Sequence, residues 1–439
     1  MKSRYRVLDS RSVAVSTVAV AIIIVVIVIV AGIGAYLTLG QTSNTTTPST
    51  SSQSSTTTSQ TPISTSSSTS TTSSSSQSTT SSSSQSSTTT STSTSSPSSS
   101  FTLPSSLPSV TMSETGSSLL YPLFNLWVAN FTKLYPNVQI NTASTGSGAG
   151  QAGAEKGTVQ FGSSDAYLSS SVQAAYPYVL NIPVAISAQQ INYNVPEVPS
   201  TIHLNFSGPV LSGIYNGSIT YWDDVNIKVI NPGAASLLPH QAIIPIHRAD
   251  GSGDTFIFTQ YLSKSTPSWN STVGFGTTVS WPSVPSAQSA NGNGGMVTAC
   301  EGNKYSIAYI GVSYLKQATS GGLGYAYLKN QAGNFVDITQ SNIQAAANSL
   351  VSQTPNDERI SLIFAPGANS YPIINYEYVM VSKNQNATGM ALAMRTFLTW
   401  AIQPNYGNSG NFLNQVSFIP LPPSVAELSE SQIAQIQGP

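Results

Sequence analysis

Apolar positions fall into three regimes along this chain. From Val13 to Leu39 they are nearly continuous and uncharged. That run exceeds the roughly 20 residues a helix needs to cross a bilayer, so it predicts a transmembrane helix. From 41 to 100 they almost vanish. The tract is Ser and Thr with a few Gln and Pro, has no apolar surface to bury, and predicts a disordered stalk. After Phe101, apolar stretches alternate with Gly, Pro and Asn, which predicts a globular head with room for two cores.

Helical period is clearest in M-S-E-T-G-S-S-L-L-Y-P-L-F-N-L-W-V-A-N-F, from Met112, where apolar residues recur at 119, 120, 123, 124, 127, 128 and 131. Ser117 or Ser118 stands where an N-cap belongs, and Pro122 suits only a first turn. A short strand at Val138–Ile140 leads into S-T-G-S-G-A-G-Q-A-G (144–153). Its glycines permit a sharp turn before a second helix near Ser147. A third polar, Gly-rich turn opens a helical pattern in H-R-A-D-G-S-G-D-T-F-I-F-T-Q-Y-L (247–262). Ordinary capping explains any one of these starts. Three together aim hydroxyls and free N–H groups outward, which makes an anion site without much net charge.

The formal charge is -1 and only 7% of residues are charged, so neither nucleic acid nor an anionic membrane surface is an expected partner. Any anion must be caught locally. Cys300 is the single cysteine; it has no disulfide partner in the chain and reads as a buried thiol. His203, His240 and His247 lack metal-ligand spacing, so no zinc site and no cofactor is expected. The Gly146–Gly150 run lacks the Lys and Ser/Thr of a P-loop and has no acidic residue at the distance a dinucleotide site requires. Neither Ser147 nor Ser252 sits in a G-x-S-x-G elbow, which disfavours a serine hydrolase. A binding protein is expected, not an enzyme.

Lys2, Arg4, Arg6 and Arg11 precede the apolar run and nothing basic follows it closely. Residues 1–12 should therefore stay cytoplasmic, with 13–39 as a single-pass anchor in the cell membrane and the head outside. The run is longer than the about 7 to 15 apolar residues of a cleavable signal, although Thr38 and Gly40 leave cleavage as the alternative. Sequons at Asn44, Asn130, Asn205, Asn216, Asn270 and Asn386 fit an extracellular glycoprotein. With the hydroxyl-rich stalk at 41–100, they suggest by analogy an archaeal cell surface.

The head also contains G-T-V-Q-F-G-S-S-D-A-Y-L-S (157–169), G-P-V-L-S-G-I-Y-N-G-S-I-T-Y-W-D-D (208–224) and Y-P-I-I-N-Y-E-Y (371–378). Together with the three helix-start motifs, in this order, the stretch from Met112 to Ile436 resembles the phosphate-binding proteins of Pst-type ABC importers. That resemblance implies an α/β, type II periplasmic-binding-protein fold of two α/β lobes joined by two crossing strands. Lobe 1 would be 112–184 and 373–439, and lobe 2 188–370. The crossings would be Val184–Asn194 and Ile373–Val381, both suitably apolar and β-branched. The implied function is capture of inorganic phosphate by a monomeric head and delivery to the membrane subunits of an ABC permease. Alternatives are a phosphate sensor or scavenger that meets no permease, a phosphatase-like enzyme, and a structural surface protein.

Carried over by motif, Ser118 and Ser147 would give phosphate a hydroxyl and an N–H, and Leu119 an N–H. Arg248 would supply the charge-assisted contact, Ser252 and Gly253 further donors, and Asp165 a carboxylate that accepts the ligand's proton. The common family form continues D-G-S-G-T, whereas here Asp254 follows Gly253, as in one branch. Asp254 either contacts ligand, or it caps its helix or pairs with Arg248. A buried carboxylate beside an anion is tolerable only with a proton between them. Asp165 would thus admit phosphate and reject fully ionised sulfate, molybdate and tungstate. If Asp254 also faced ligand, the doubly protonated monoanion would be preferred.

Overall fold

The computed structural model describes residues 102–439. The expected cytoplasmic segment, anchor and stalk, and Asn44, lie outside the described residues. Among the described residues no helix is long and apolar enough to cross a membrane.

In chain order the strands are β1 (Val110–Gly116), β2 (Val138–Ser144), β3 (Phe161–Ser164), β4 (Val179–Tyr193), β5 (Asn205–Phe206) and β6 (Ile244–Arg248). They continue with β7 (Gln288–Ala290), β8 (Ser306–Gly311), β9 (Gly324–Tyr325), β10 (Tyr327–Lys329), β11 (Phe335–Val336) and β12 (Ile374–Ser382). The main sheet runs β2-β1-β3-β12-β4-β8-β6-β7, with β9 also on β4, and β11-β10-β5 form a smaller sheet. Two parallel trios, β2-β1-β3 and β8-β6-β7, flank the antiparallel pair β12-β4. Parallel neighbours require crossover helices. The first trio has α1 (Tyr121–Leu134) and α2 (Ser147–Lys156), and the second α3 (Gly253–Ser265) and α4 (Gly292–Gly302). This is an α/β architecture of two-lobe character.

Every residue of β4 is buried. Val179–Ala188 pair with β12 and Gln189–Tyr193 with β8, so one strand serves both trios. The expected crossing runs from Val184 to Asn194, whereas β4 runs from Val179 to Tyr193. Its earlier half is equally extended, held by β12. The β2 strand likewise outruns the expected Val138–Ile140, since all seven of its residues pair in register with β1. Its polar tail, Asn141–Ser144, hides that pairing from an apolar count.

Helix α1 buries Leu123, Phe124, Trp127 and Phe131 on one stripe, as the i, i+3, i+4 spacing requires. Phe124 packs on Phe161 of β3, at 6.0 Å between centroids, and on Phe397 at 5.3 Å. Phe397 belongs to α5 (Met390–Ile402), so the chain's last part closes over its first helix. Trp127 Nε1 donates to the Gly407 carbonyl at 2.8 Å. Truncating such a buried aromatic to Ala costs about 3–5 kcal/mol. Pro136 follows the helix, where it cannot extend it. This packing fixes the axis of α1 and hence the aim of its first turn.

Candidate functional site

In open α/β sheets, ligands bind beyond the carboxyl ends of parallel strands. Here those ends, from both trios, lie against one another.

The first turn follows β1. The Ser117 hydroxyl donates to Asp165 Oδ1, while its Oγ accepts from the N–H groups of Leu119 and Leu120 at 3.1 and 2.9 Å. Of the two serines the sequence offers as caps, Ser117 closes the turn that leads into α1, whose own N-cap position is Leu120. Ser118 follows, buried, its Oγ accepting from the backbone N–H and the side-chain amide of Asn293, both at 3.0 Å. An accepting hydroxyl keeps its proton, so Ser118 can still donate.

The second turn joins β2 to α2 through Gly146 at φ +91°, a conformation that suits glycine. A side chain there would also strike the Asp250 carboxylate and the Gly251 carbonyl. Two residues on, the Gly148 N–H donates to the Gly251 carbonyl at 2.8 Å, joining the two trios. Ser147, the first residue of α2, is buried and its Oγ accepts from the Asp165 N–H at 3.2 Å.

The third turn caps α3 with Ser252, whose Oγ accepts from the Thr255 N–H at 3.2 Å. Beside it Gly253 sits so close to the first trio that an added Cβ would stand 2.5 Å from both Asp165 Oδ2 and Ser147 Oγ. Three helix starts and Asp165 therefore meet at one buried point.

Arg248, at the end of β6, is 4% exposed. Its Nε donates to Asp250 Oδ1 at 2.7 Å, its Nη2 to Asp250 Oδ2, and its Nη1 to Asp254 Oδ2 at 2.8 Å. Burial opposes a charged guanidinium, but the hydrogen bonds to Asp250 and the charges of Asp254 and Asp250 outweigh it and hold Arg248 protonated. Burial also pushes Asp250 upward, and the hydrogen bond and charge of Arg248 bring its net shift below the usual carboxylate range.

Asp165 is shifted well above that range, first by burial, then by the charges of Glu377 and Asp254. Its Oδ2 receives no hydrogen bond among the described residues. A fully buried acceptor facing hydroxyls and helix N-termini suits an oxyanion that carries hydrogen.

Comparison with known proteins places this architecture. A family model described as a PBP superfamily domain matches residues 41–405. The phosphate-binding protein PstS of Methanocaldococcus jannaschii is 33% identical over 345 residues, covering 75% of this chain and 87% of that protein. PstS of Pasteurella multocida is 32% identical over 322 residues, covering 73% and 89%. The chain belongs to the PstS family. Among solved structures, a periplasmic phosphate-binding protein (PfluDING) bound with phosphate aligns at TM-score 0.56 and 20% identity, over 73% of this chain and 93% of that one. The phosphate-binding protein from Stenotrophomonas maltophilia gives TM-score 0.56 at 18% identity over the same shares. These share the phosphate-binding-protein fold.

Within this PstS-family chain the structure brings Ser118, Ser147, Asp165, Arg248, Ser252, Gly253 and Asp254 into one cluster. Leu119 adjoins it, but its N–H points to Ser117 Oγ. Asp254 is wholly buried, its Oδ2 accepting from Arg248 and from Asn293 Nδ2 at 2.7 Å, its Oδ1 from Gln189 Nε2 at 3.0 Å. Burial pulls its pKa upward, while these three donors favour the ionised form. Asp254 is thus an anchor for Arg248, the pairing left open by sequence.

Three neighbours had no sequence signal. Asn293 bridges Ser118 and Asp254, and its Oδ1 accepts from the Gly311 N–H at 2.7 Å. Gln189 reaches Asp254 from β4. Glu377, on β12, lies in hydrogen-bonding contact with Asp165. Each comes from a strand or helix remote in sequence, and only the position of Glu377 inside Y-P-I-I-N-Y-E-Y marked a motif.

Proposed function

We propose that the head captures inorganic phosphate between the two trios and hands it to the membrane subunits of an ABC permease. The observation that carries this is Asp165 Oδ2, an unpartnered and buried acceptor aimed at the donors around Ser147 and Gly253. Phosphate near neutral pH carries the hydrogen that such an acceptor needs. Fully ionised sulfate would face it with repulsion. The names of its relatives point the same way, since those proteins are phosphate-binding.

In this reading Ser118, Ser147 and Ser252 donate hydroxyls, the first turns of the three helices donate N–H groups, and Gly253 permits the close approach. Arg248 supplies the positive charge, positioned by Asp250 and Asp254, and Leu119 is left to Ser117. Lobe 1 comprises 112–184 and 373–439, and lobe 2 188–370, with β4 and β12 as the hinge. Residues 13–39 tether the head outside the membrane on the 41–100 stalk. Asn216, Asn270 and Asn386, all exposed, are the sequons best placed for glycans.

Isothermal titration of the wild-type protein with phosphate and with sulfate tests the assignment, alongside Asp165→Asn. Phosphate should bind and sulfate should not. Equal binding of both anions to the wild type, or binding of neither, would overturn it.

A further inference from the structure

Antiparallel pairing matches Tyr378 with Ser164, Val379 with Ser163 and Met380 with Gly162. The ladder ends at Tyr378 and Ser164, and the next residues on the two segments are Glu377 and Asp165. Their carboxyls come together there, bridged by the Asn375 amide, which donates to Glu377 Oε1 and to the Asp165 carbonyl. The β12 ladder also slips between Glu377 and Tyr378 where it meets β4, a bulge of the kind that re-aims a side chain beside a site.

Glu377 is fully buried. Its Oε1 accepts from the Ser187 hydroxyl and from Asn375 Nδ2, the latter at 3.1 Å. The same Asn375 amide approaches the Asp165 carbonyl at 3.3 Å. Glu377 Oε2, like Asp165 Oδ2, receives no hydrogen bond among the described residues. Two contacting carboxylates with orphaned oxygens repel each other. With one proton between them they form a hydrogen bond and carry a single charge.

We propose that Glu377 is the proton-holding partner of Asp165: the pair shares one proton, which passes to Glu377 when the ligand's O–H reaches Asp165 and leaves Asp165 ionised as its acceptor. This rests on the phosphate reading and deepens it. Loss of the shared proton puts a second negative charge beside the bound anion and weakens capture. Glu377 is thus a positioning residue that acts through Asp165.

The surroundings support this assignment. The groups bearing on Glu377 are Asp165, beyond the end of β3, and Asp254, on α3. From β4 the Ser187 hydroxyl donates to Glu377. Arg248 is engaged by Asp250 and Asp254. Burial is the largest influence on Glu377 and lifts it to about 7 against the pull of its Ser187, Asp165 and Asn375 hydrogen bonds. The proton would therefore be lost near neutrality.

The test compares the full-length protein with Glu377→Gln, which keeps a donor toward Asp165 but cannot titrate. Phosphate is titrated between pH 5.5 and 8.5 in buffers of different protonation enthalpy. Above pH 7 the wild type should lose about tenfold more affinity per pH unit than Glu377→Gln, with about one extra proton taken up on binding. Superimposable profiles and equal proton uptake would overturn the proposal, because a merely structural role moves neither.

Infrared difference spectra of the phosphate-free proteins supply an independent arm. In a Glu114→Gln/Glu358→Gln background, which removes the other buried acids that titrate in this range, the protein should show a protonated carboxyl band that disappears as pH rises through neutrality and changes when Glu377→Gln is added. The absence of that band overturns the proposal, even if the Glu377→Gln variant does not fold. Failure of phosphate to bind at any pH, with the band present, would instead remove the phosphate reading and leave the shared proton standing.

Discussion

Gly253 stands against Asp165 so closely that the missing Cβ is itself a part of the site. An alanine there would bring a methyl carbon to 2.5 Å from both Asp165 Oδ2 and Ser147 Oγ. Neither group can retreat freely, because Ser117 holds the other Asp165 oxygen and the Asp165 N–H holds Ser147. The position begins α3, where alanine is locally acceptable. The clash should therefore lower the melting temperature by several degrees in Gly253→Ala, as overpacking of about 1–3 kcal/mol requires, and cut phosphate affinity at least about 100-fold, the equivalent of about 2.7 kcal/mol. Calorimetric titration beside a thermal melt checks both halves, and unchanged affinity would refute the close approach.

Arg248 is held from two sides, and its clamp separates geometry from charge. Arg248→Lys retains a positive charge but cannot span Asp250 and Asp254 together, because an ammonium lacks the planar fork. It leaves one buried carboxylate short of a donor, at about 1–3 kcal/mol. The expected result is a loss of thermal stability together with a fall of phosphate affinity of about tenfold or more. Asp254→Asn should lower stability as well, since its new amide would face the Arg248, Asn293 and Gln189 donors. A variant at Asp254 that bound phosphate more tightly would show that this carboxylate opposes the ligand instead of positioning Arg248.

The three helix starts were legible in sequence because capping is local chemistry. A serine or glycine at the right offset from an apolar stripe is enough to locate Ser117, Ser147 and Ser252. The long strands were legible as extended runs, but their full length was not, since the first half of β4 is set by β12 from the far end of the chain. Asp254 could not be assigned from sequence because its meaning depends on Gln189 and Asn293, which reach it from β4 and α4. Glu377 was hidden for the same reason: only the end of the ladder at Tyr378 and Ser164 puts it next to Asp165.

Buried acids outside the ligand cluster set a pH dependence of the fold. Burial lifts Glu114 to about 7 against the hydrogen bonds of Ser163 and Ala143, and Glu358 to about 8 against those of Ser429 and Gln432. The folded state thus binds more protons than the unfolded chain from about the ordinary carboxylate range upward, so stability falls as pH rises toward 7 or 8. Each group contributes up to about 1.4 kcal/mol per pH unit within its window. Phosphate-free protein should melt highest near pH 5 and progressively lower by pH 8, and Glu114→Gln should flatten the slope. Scanning calorimetry across pH decides this. A melting temperature that climbs from pH 5 to 8 would contradict it.

Asn293 fastens one trio to the other over the site. Its backbone N–H and its amide both reach Ser118 Oγ, the same amide reaches Asp254, and its carbonyl oxygen holds the Gly311 N–H. Removing the side chain leaves α4 its backbone contact with Ser118, but strips the amide's bond across to Ser118, one donor from Asp254 and one acceptor from Gly311. A bond that forms only when the trios meet should slow escape of the ligand more than it speeds entry. Asn293→Ala is therefore expected to weaken phosphate binding about 5- to 30-fold, almost wholly through faster dissociation, as about 1–2 kcal/mol of lost cross-cleft bonding would require. Stopped-flow measurement of both rate constants distinguishes this from a general distortion of the site, which would lower the association rate as well.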